Sequence, residues 1–344
     1  MSIIKFTCLL TCFMVFSGCS ASKAQVNWSL YSEGGLFSSI NTLSAQPNDF
    51  LLRVDGNLGY LFTDDNISAK LQFKIRPEIY GSEENFKSLK LKANGNYFQE
   101  GEKVNWGINL AVQKNFYQNN LTHFNHSTFS VIFNTEWNEF KNYPLTAECG
   151  YSYQTASDNI EQDLDLFFFG FDINKNLFLR NNSSIGFYIE KFVIDNKYLV
   201  RIKNTASINK GWRLGPKFNF KYFDNSILYL DYRLLFHFSQ VTESPSLEHL
   251  ARLIAGTIFY DRWSIFLLVD YYDRRFTLKH GSKDQDFLIY NFLDIENKMN
   301  VKLGRDLGKD IEVYIKGGYF KERFFNQSFN FEGFNLLFGI EVNQ

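Results

Sequence analysis

The stretch GWRLGPKFNFKYFDNSILYLDYRLLFHF, residues 211–238, alternates between apolar and polar side chains in two successive runs. The apolar positions of the first run are Trp212, Leu214, Phe218, Phe220 and Tyr222, with Arg213, Lys217, Asn219 and Lys221 between them. After residues 223–226, the apolar positions are Leu228, Leu230, Tyr232, Leu234, Phe236 and Phe238. A period of two is that of a β-strand, so the stretch predicts two strands joined by a tight turn. One face of this pair is apolar, and the other is polar and largely basic.

The same alternation recurs along most of the chain. Further examples are the ranges 66–79, 103–116, 261–272, 310–320 and 334–342. Each holds its pattern for longer than the ~5–6 residues of a typical strand in a soluble sheet. Their length instead suits the ~9–11 residues with which a tilted strand crosses a bilayer. A soluble β-sandwich is the alternative, but it would leave extensive aromatic faces in water.

The connections between these runs alternate in length in the C-terminal half. Tight ones at 223–226, 260–263 and 305–310 alternate with long polar ones at 239–249, 274–286 and 321–333. Short connections on one side and long ones on the other are typical of an up-and-down barrel in a membrane. Because the backbone has no water to bond in lipid, spanning strands must close on themselves. We therefore predict an all-β, antiparallel up-and-down transmembrane β-barrel of about 16 strands, within a range of about 14 to 16.

The composition fits this architecture and excludes others. The 344 residues include 38 Phe, 19 Tyr and 5 Trp but only 5 Pro, an aromatic load that favours strands. A mean hydropathy of -0.25 is not that of a helical membrane protein, although alternation can hide an apolar face within such an average. The formal net charge of -1 gives no support to nucleic acid as a partner.

Residues 1–24 have the pattern of a signal peptide. Lys5 precedes the apolar segment 6–16, which is too short to span a bilayer as a helix. The small residues of the SKA sequence favour cleavage before Gln25. The less favoured alternative is the lipobox-like FSGC sequence, in which Cys19 would be lipidated. Either cut indicates an exported chain.

After cleavage before Gln25, Cys149 is the one cysteine left, so no internal disulfide can form. The mature chain shows no domain linker. We expect residues 25–49 to form an N-terminal segment or the first strand, and residues 50–344 to form the barrel.

Aromatic side chains with a polar edge lie near the ends of several predicted strands. They are Trp137, Trp212, Trp263, Tyr222, Tyr271 and Tyr319. Such rings prefer the boundary between membrane and water, where they form girdles around barrels. We predict that these residues lie at the two membrane interfaces.

The polar face of the predicted strands is rich in cations. The candidates for the lining of the lumen are Lys70, Lys74, Arg76, Lys90, Lys92, Arg213, Lys217, Lys221 and Arg233. Charged rings in a pore select ions of opposite sign, which would favour anionic solutes. The alternative is that a lumen needs only to be polar, with Asp231, Asp270, Glu312 and Glu341 balancing the cations.

Two groups of residues could carry other chemistry. Asp231, His237 and Ser239 share one face of one strand, but neighbours on that face are about 7 Å apart, too far for a direct Ser–His hydrogen bond. His123 and His126 share a predicted loop, with no cysteine or acidic residue at ligand spacing, which favours a solvated loop over a metal site. We therefore predict no catalytic residue, metal or cofactor.

In its alternating strands and export signal, the chain resembles the outer-membrane β-barrel proteins of Gram-negative bacteria over residues 50–344. Members of that class usually end on an aromatic residue, whereas this chain ends Phe338, Ile340, Val342 and then Asn343-Gln344. The resemblance implies a location in the bacterial outer membrane, in contact with its lipid.

The function that the resemblance implies is a porin-like channel for the passage or export of a small polar solute, with an anionic one favoured if the basic face selects. Two alternatives remain. One is a barrel enzyme acting on lipid or peptide at the rim. The other is a barrel anchor or adhesin whose long loops bind a partner.

Overall fold

The computed structural model describes residues 23–39, 48–81, 86–118, 125–137, 143–156, 162–175, 181–196, 208–239, 245–260, 262–276, 297–323 and 330–344. Over these ranges the chain forms sixteen β-strands. They are β1 (Lys23–Ser39), β2 (Asn48–Asp64), β3 (Ile67–Tyr80), β4 (Phe86–Gln99), β5 (Val104–Tyr117), β6 (His126–Trp137), β7 (Leu145–Ala156), β8 (Gln162–Lys175), β9 (Asn181–Asn196), β10 (Ile208–Phe223), β11 (Ser226–Ser239), β12 (Ser246–Phe259), β13 (Trp263–Phe276), β14 (Asn297–Asp306), β15 (Ile311–Arg323) and β16 (Asn330–Asn343). None of the residues in these ranges belongs to a helix long and apolar enough to cross a membrane.

Each strand pairs antiparallel with its neighbours in the chain, and β1 pairs with β16 to close the sheet into a barrel. The closing register runs from Ser29 opposite Asn343 to Ser39 opposite Gly333. Closure removes the unpaired strand edges that lipid does not tolerate. The predicted antiparallel barrel and its strand number are therefore confirmed. Residues 1–22, which carry most of the predicted signal peptide, lie outside the described residues.

The up-and-down order gives the barrel two unlike ends. At the end that we call the short-turn end, β2 meets β3 across residues 65–66, β10 meets β11 across 224–225, and β14 meets β15 across 307–310. At the opposite end, here the long-connection end, β9 and β10 are separated by residues 197–207 and β13 and β14 by 277–296. The alternation of short and long connections follows the prediction.

Strands extend into all three segments predicted as long connections, and β13 runs to Phe276 within the predicted connection 274–286. β12 already begins at Ser246, within the predicted connection 239–249. β15 and β16 continue to Arg323 and from Asn330, which are paired with each other. The polar side chains in these segments suggest loops when only the sequence is considered. Their backbone groups nevertheless form hydrogen bonds with the neighbouring strands.

The two faces of the wall differ as the opening alternation predicts. On β10 and β11, Trp212, Phe236 and Phe238 face outward, and each is 45 % exposed. Arg213 and His237 lie on the inward face and are at most 1 % exposed. The apolar surface of this protein is thus on its outside, and its charges are on its inside.

Candidate functional site

The inward face is deeply buried at one end of the barrel and hollow at the other. Buried inward side chains within six positions of the long-connection end form what we call the buried layer. Its members include Leu51, Glu78, Ser88, Asn115, His126, Leu164, Ile194, Arg213, His237, Glu248, Tyr272, Asn300 and Asn335. Most strands contribute to it, so it rings the lumen. Inward residues nearer the short-turn end are mostly half-buried.

Arg213 is the centre of a buried ionic cluster in this layer. Its Nε lies 2.9 Å from Oε2 of Glu248, and its Nη1 lies 3.4 Å from Oε1 of Glu190. The second oxygen of Glu248 contacts His237 Nδ1 at 2.5 Å. The ladder explains the meeting, because Arg213 stands opposite both Glu190 on β9 and His237 on β11. Ion pairs and hydrogen bonds between buried side chains therefore link the four strands β9 to β12 in the interior.

A second ionic chain crosses the opposite wall from β15 to β4. Lys316 contacts Glu33, and Glu33 lies 3.6 Å from Arg53. Arg53 Nε in turn lies 2.5 Å from Glu78, which also contacts Lys90 Nζ at 3.3 Å. Charges alternate in sign along this chain, three cations with two carboxylates, so most of its charge is compensated locally.

The predicted basic residues fall into two sets. Six are in ion pairs: Lys74 and Arg76 with Asp55, Lys90 with Glu78, Arg213 with Glu190 and Glu248, Lys217 with Glu148 and Asp172, and Arg233 with Asp231. Lys70, Lys92 and Lys221 form no ion pair with another described residue. The register puts all nine on the face opposite the exposed apolar residues. Most of the positive charge is thus compensated locally.

A cavity of about 340 Å³ opens on the inward face of β6 to β11, in the hollow half of the lumen. Of its described lining residues, four are carboxylates and three are cations. The carboxylates are Glu136, Glu148, Asp172 and Asp231, and the cations are Lys217, Lys221 and Arg233. Amides and hydroxyls supply most of the remaining lining.

Lys217 crosses two strands to reach its partners at the cavity wall. Its Nζ lies 2.7 Å from Asp172 on β8 and 2.9 Å from Glu148 on β7. Gly186 and Gly170 occupy the inward positions between, and a Cβ on Gly170 would lie only 2.7 Å from that Nζ. The missing side chains therefore make the room in which the lysine bridges two carboxylates.

The predicted interface aromatics lie toward both ends of the wall. Trp137 ends β6, Trp263 begins β13, and Tyr222 is the penultimate residue of β10, all at the short-turn end. The other three lie toward the long-connection end: Trp212 on β10, Tyr271 on β13 and Tyr319 on β15. Trp263 also forms a cation–π contact with Arg305, whose Cζ lies 5.2 Å from the centre of the indole ring.

The histidine candidates have partners other than those the sequence indicated. His237 contacts Glu248, whereas Asp231 of the same strand pairs with Arg233. The sequence did not predict Glu248 as a partner of His237, because Glu248 falls in a segment predicted as a connection. His126 begins β6 rather than lying in a loop, and its Nε2 is 3.0 Å from Nδ2 of Asn115. The predicted shared loop is therefore wrong for His126, and His123 lies outside the described residues.

No protein-family model and no curated protein matches the chain. Solved structures do match it at low identity. Pseudomonas aeruginosa OprD is 8% identical, with 95% of this chain and 97% of that chain covered and a TM-score of 0.41. The toluene transporter TodX of Pseudomonas putida is 8% identical over 95% and 90% of the two chains, with a TM-score of 0.40. The alcaligin outer-membrane receptor FauA of Bordetella pertussis is 8% identical over 94% and 77%, with a TM-score of 0.46.

Proposed function

We propose that this protein is a channel of the bacterial outer membrane that passes a small hydrophilic solute through its lumen. The observation that carries the proposal is a closed barrel with an apolar outside and a polar, hollowed inside. Apolar side chains such as Leu36 and Ile185 are 68 % and 67 % exposed on the outer face. In water that surface would be a liability, whereas in lipid it is the face that a barrel needs.

The buried layer sets the size of what can pass. A barrel with this strand number can hold a wide aqueous channel, but here the inward side chains at the long-connection end are deeply buried. We expect passage to be restricted to small solutes, with the layer as the narrowest part of the path.

The charge pairing argues against strong selection by sign. Cations in the lumen attract anions only to the extent that neighbouring carboxylates leave their field uncompensated. Six of the nine predicted basic residues are held in ion pairs. We therefore expect the channel to pass polar solutes with little preference for anions.

The test is the conductance of the refolded chain, residues 25–344, in a planar bilayer with a salt gradient. We expect small, stable steps and a reversal potential close to zero. A folded barrel without conductance would contradict the channel and favour an enzyme or an anchor. A strongly negative or positive reversal potential would contradict the compensated lumen.

A further inference from the structure

We infer that the cavity between β6 and β11 is a binding site for an uncharged, hydroxyl-rich solute of the size of a mono- or disaccharide. This inference rests on the proposed function and names its class of solute. The cavity is enclosed by the wall on one side and open to the hollow half of the lumen on the other. At about 340 Å³ it lies at the lower end of the ~300–1,000 Å³ range of small-molecule sites.

Most of the charges around the cavity neutralise one another before any ligand arrives, and the two lining charges without an ion pair among the described residues, Glu136 and Lys221, are of opposite sign. Lys217 is held by Asp172 and Glu148, and Arg233 lies 3.6 Å from Asp231. A charged solute that binds at these pairs would have to break one of them or remain without a counter-charge, and both are unfavourable in a partly desolvated site. An uncharged solute meets neither cost.

The polar groups between the ion pairs suit hydroxyls. Asn174, Asn182 and Asn219 line the cavity with amides, and Thr146 and Ser184 add hydroxyls. An amide or hydroxyl can both donate and accept, as a sugar hydroxyl does. Carboxylates held in ion pairs keep further lone pairs for the same purpose.

The amide orientations favour the same class of ligand. Asn174 donates through Nδ2 to Thr146 Oγ1 at 3.4 Å, and Asn219 donates through Nδ2 to the Tyr229 hydroxyl at 3.4 Å. Both bonds are near the limit of hydrogen-bond length and use the nitrogen. The amide oxygens can then accept from ligand hydroxyls.

The position of the cavity suits a site on a permeation path. Its lining residues lie near the short-turn end, for instance Glu136, Thr146 and Asn182, each next to the terminal residue of its strand. The buried layer lies beyond it toward the long-connection end. A solute held here would therefore occupy the hollow half of the lumen, next to the buried layer.

The first experiment measures binding alone, by calorimetry on the folded protein in detergent with four probes. These are glucose and sucrose, which are uncharged, gluconate, which is anionic, and glucosamine, which is cationic. We expect glucose or sucrose to bind at least fivefold more tightly than either charged probe. Equal or tighter binding of gluconate, or no binding of either uncharged sugar, would overturn the inference.

A matched pair of variants locates the site. Lys217→Gln removes a lysine that bridges two carboxylates in the cavity wall. Lys302→Gln removes one that bridges Glu312 and Glu341 on the other side of the lumen, at 2.5 Å and 3.1 Å. We expect the first variant to weaken sugar binding at least fivefold and the second to change it less than twofold. Equal effects would overturn the location, provided that both variants keep the β-sheet circular dichroism of the parent.

Failure of this inference is distinguishable from failure of the proposed function. Sugar binding in a barrel that does not conduct would support the site and contradict the channel. Conductance without sugar binding would leave the channel and overturn the site.

Discussion

At the scale of single residues, the most constrained group is the guanidinium of Arg213. It is fully buried inside a barrel whose interior is otherwise the wetter side, and it satisfies two carboxylates at once. Burying a charge is costly, but removing one partner of a buried pair costs more because the other partner is left uncompensated. The cluster therefore constrains the sequence at Glu190 and Glu248 as strongly as at Arg213.

We expect Arg213→Met to lower the free energy of unfolding by about 3–5 kcal/mol. The control is Arg252→Met, because Arg252 also pairs with a carboxylate, Asp270, at 2.7 Å, but its side chain is 49% exposed. That variant is expected to cost about 0–1 kcal/mol. Urea unfolding of both variants in the same lipid vesicles measures the difference, and equal costs would show that burial does not matter at this position.

Residue identities on the inner wall could be predicted only in part. The alternation put Arg213 and Lys217 on the polar face, and the register of β10 agrees. Their partners could not be read from the sequence, since Glu190 and Glu148 lie on other strands and Glu248 lies in a predicted connection. Pairing across a barrel depends on register between distant segments, which alternation within one segment does not contain.

At the scale of the strand, the alternation predicts which of two adjacent residues can carry a charge. Val131 on β6 faces outward beside Leu110 and Tyr151, whereas Ser130 faces inward beside Ala111 and Ser152. We expect Val131→Lys to destabilise the barrel in lipid by about 2–4 kcal/mol, because its ammonium would lie in hydrocarbon.

Ser130→Lys is the matched control, because it adds the same side chain one residue away but into the lumen. We expect it to cost less than about 1 kcal/mol, as for a charge that remains in contact with water. Unfolding in vesicles of both variants measures the pair. If the inward lysine cost as much as the outward one, the assignment of the faces on β6 would be wrong.

Strand ends were harder to predict than strand faces. The turn at residues 224–225 was evident from its Asp-Asn pair, and the structure places it there. By contrast, Ser246 and Glu248 look like loop because they are polar, although they belong to β12. On the inward side of a barrel polar residues are normal, so polarity does not mark the end of a strand there.

At the scale of the whole molecule, stability depends on the seam between the first and last strands. Beyond the ladder, Trp28 and Gln344 exchange two backbone hydrogen bonds of 3.0 Å and 2.9 Å, and the indole Nε1 donates to the Gln344 side chain at 2.8 Å. Gln344 thus extends the pairing of β1 with β16 by one residue.

We expect deletion of residues 330–344 to abolish insertion, because it leaves β1 and β15 with open edges that lipid cannot satisfy. Removing residues 25–27 from the chain that begins at Gln25 is the control, since these residues pair with β2 but not with β16. That shorter chain should still insert. Protection from added protease in vesicles distinguishes the two, and insertion of the chain lacking β16 would contradict the role of the seam.

The closed shape itself was predictable, since long amphipathic strands have few other solutions in lipid. The filling of one half of the lumen was not. It is marked by buried side chains on most strands at one level, such as Leu51, Leu164 and Tyr272. Nothing in any single strand marks that level.

The unequal halves of the lumen have an electrical consequence. In a conduit with one narrow section, an applied voltage falls mainly across that section, which here lies close to one mouth. Ions can accumulate in the wide vestibule on one side but have no such reservoir on the other. The current at one polarity should then exceed that at the other, so the protein would act as a rectifier, and the sense of rectification would report which way round it sits in the bilayer.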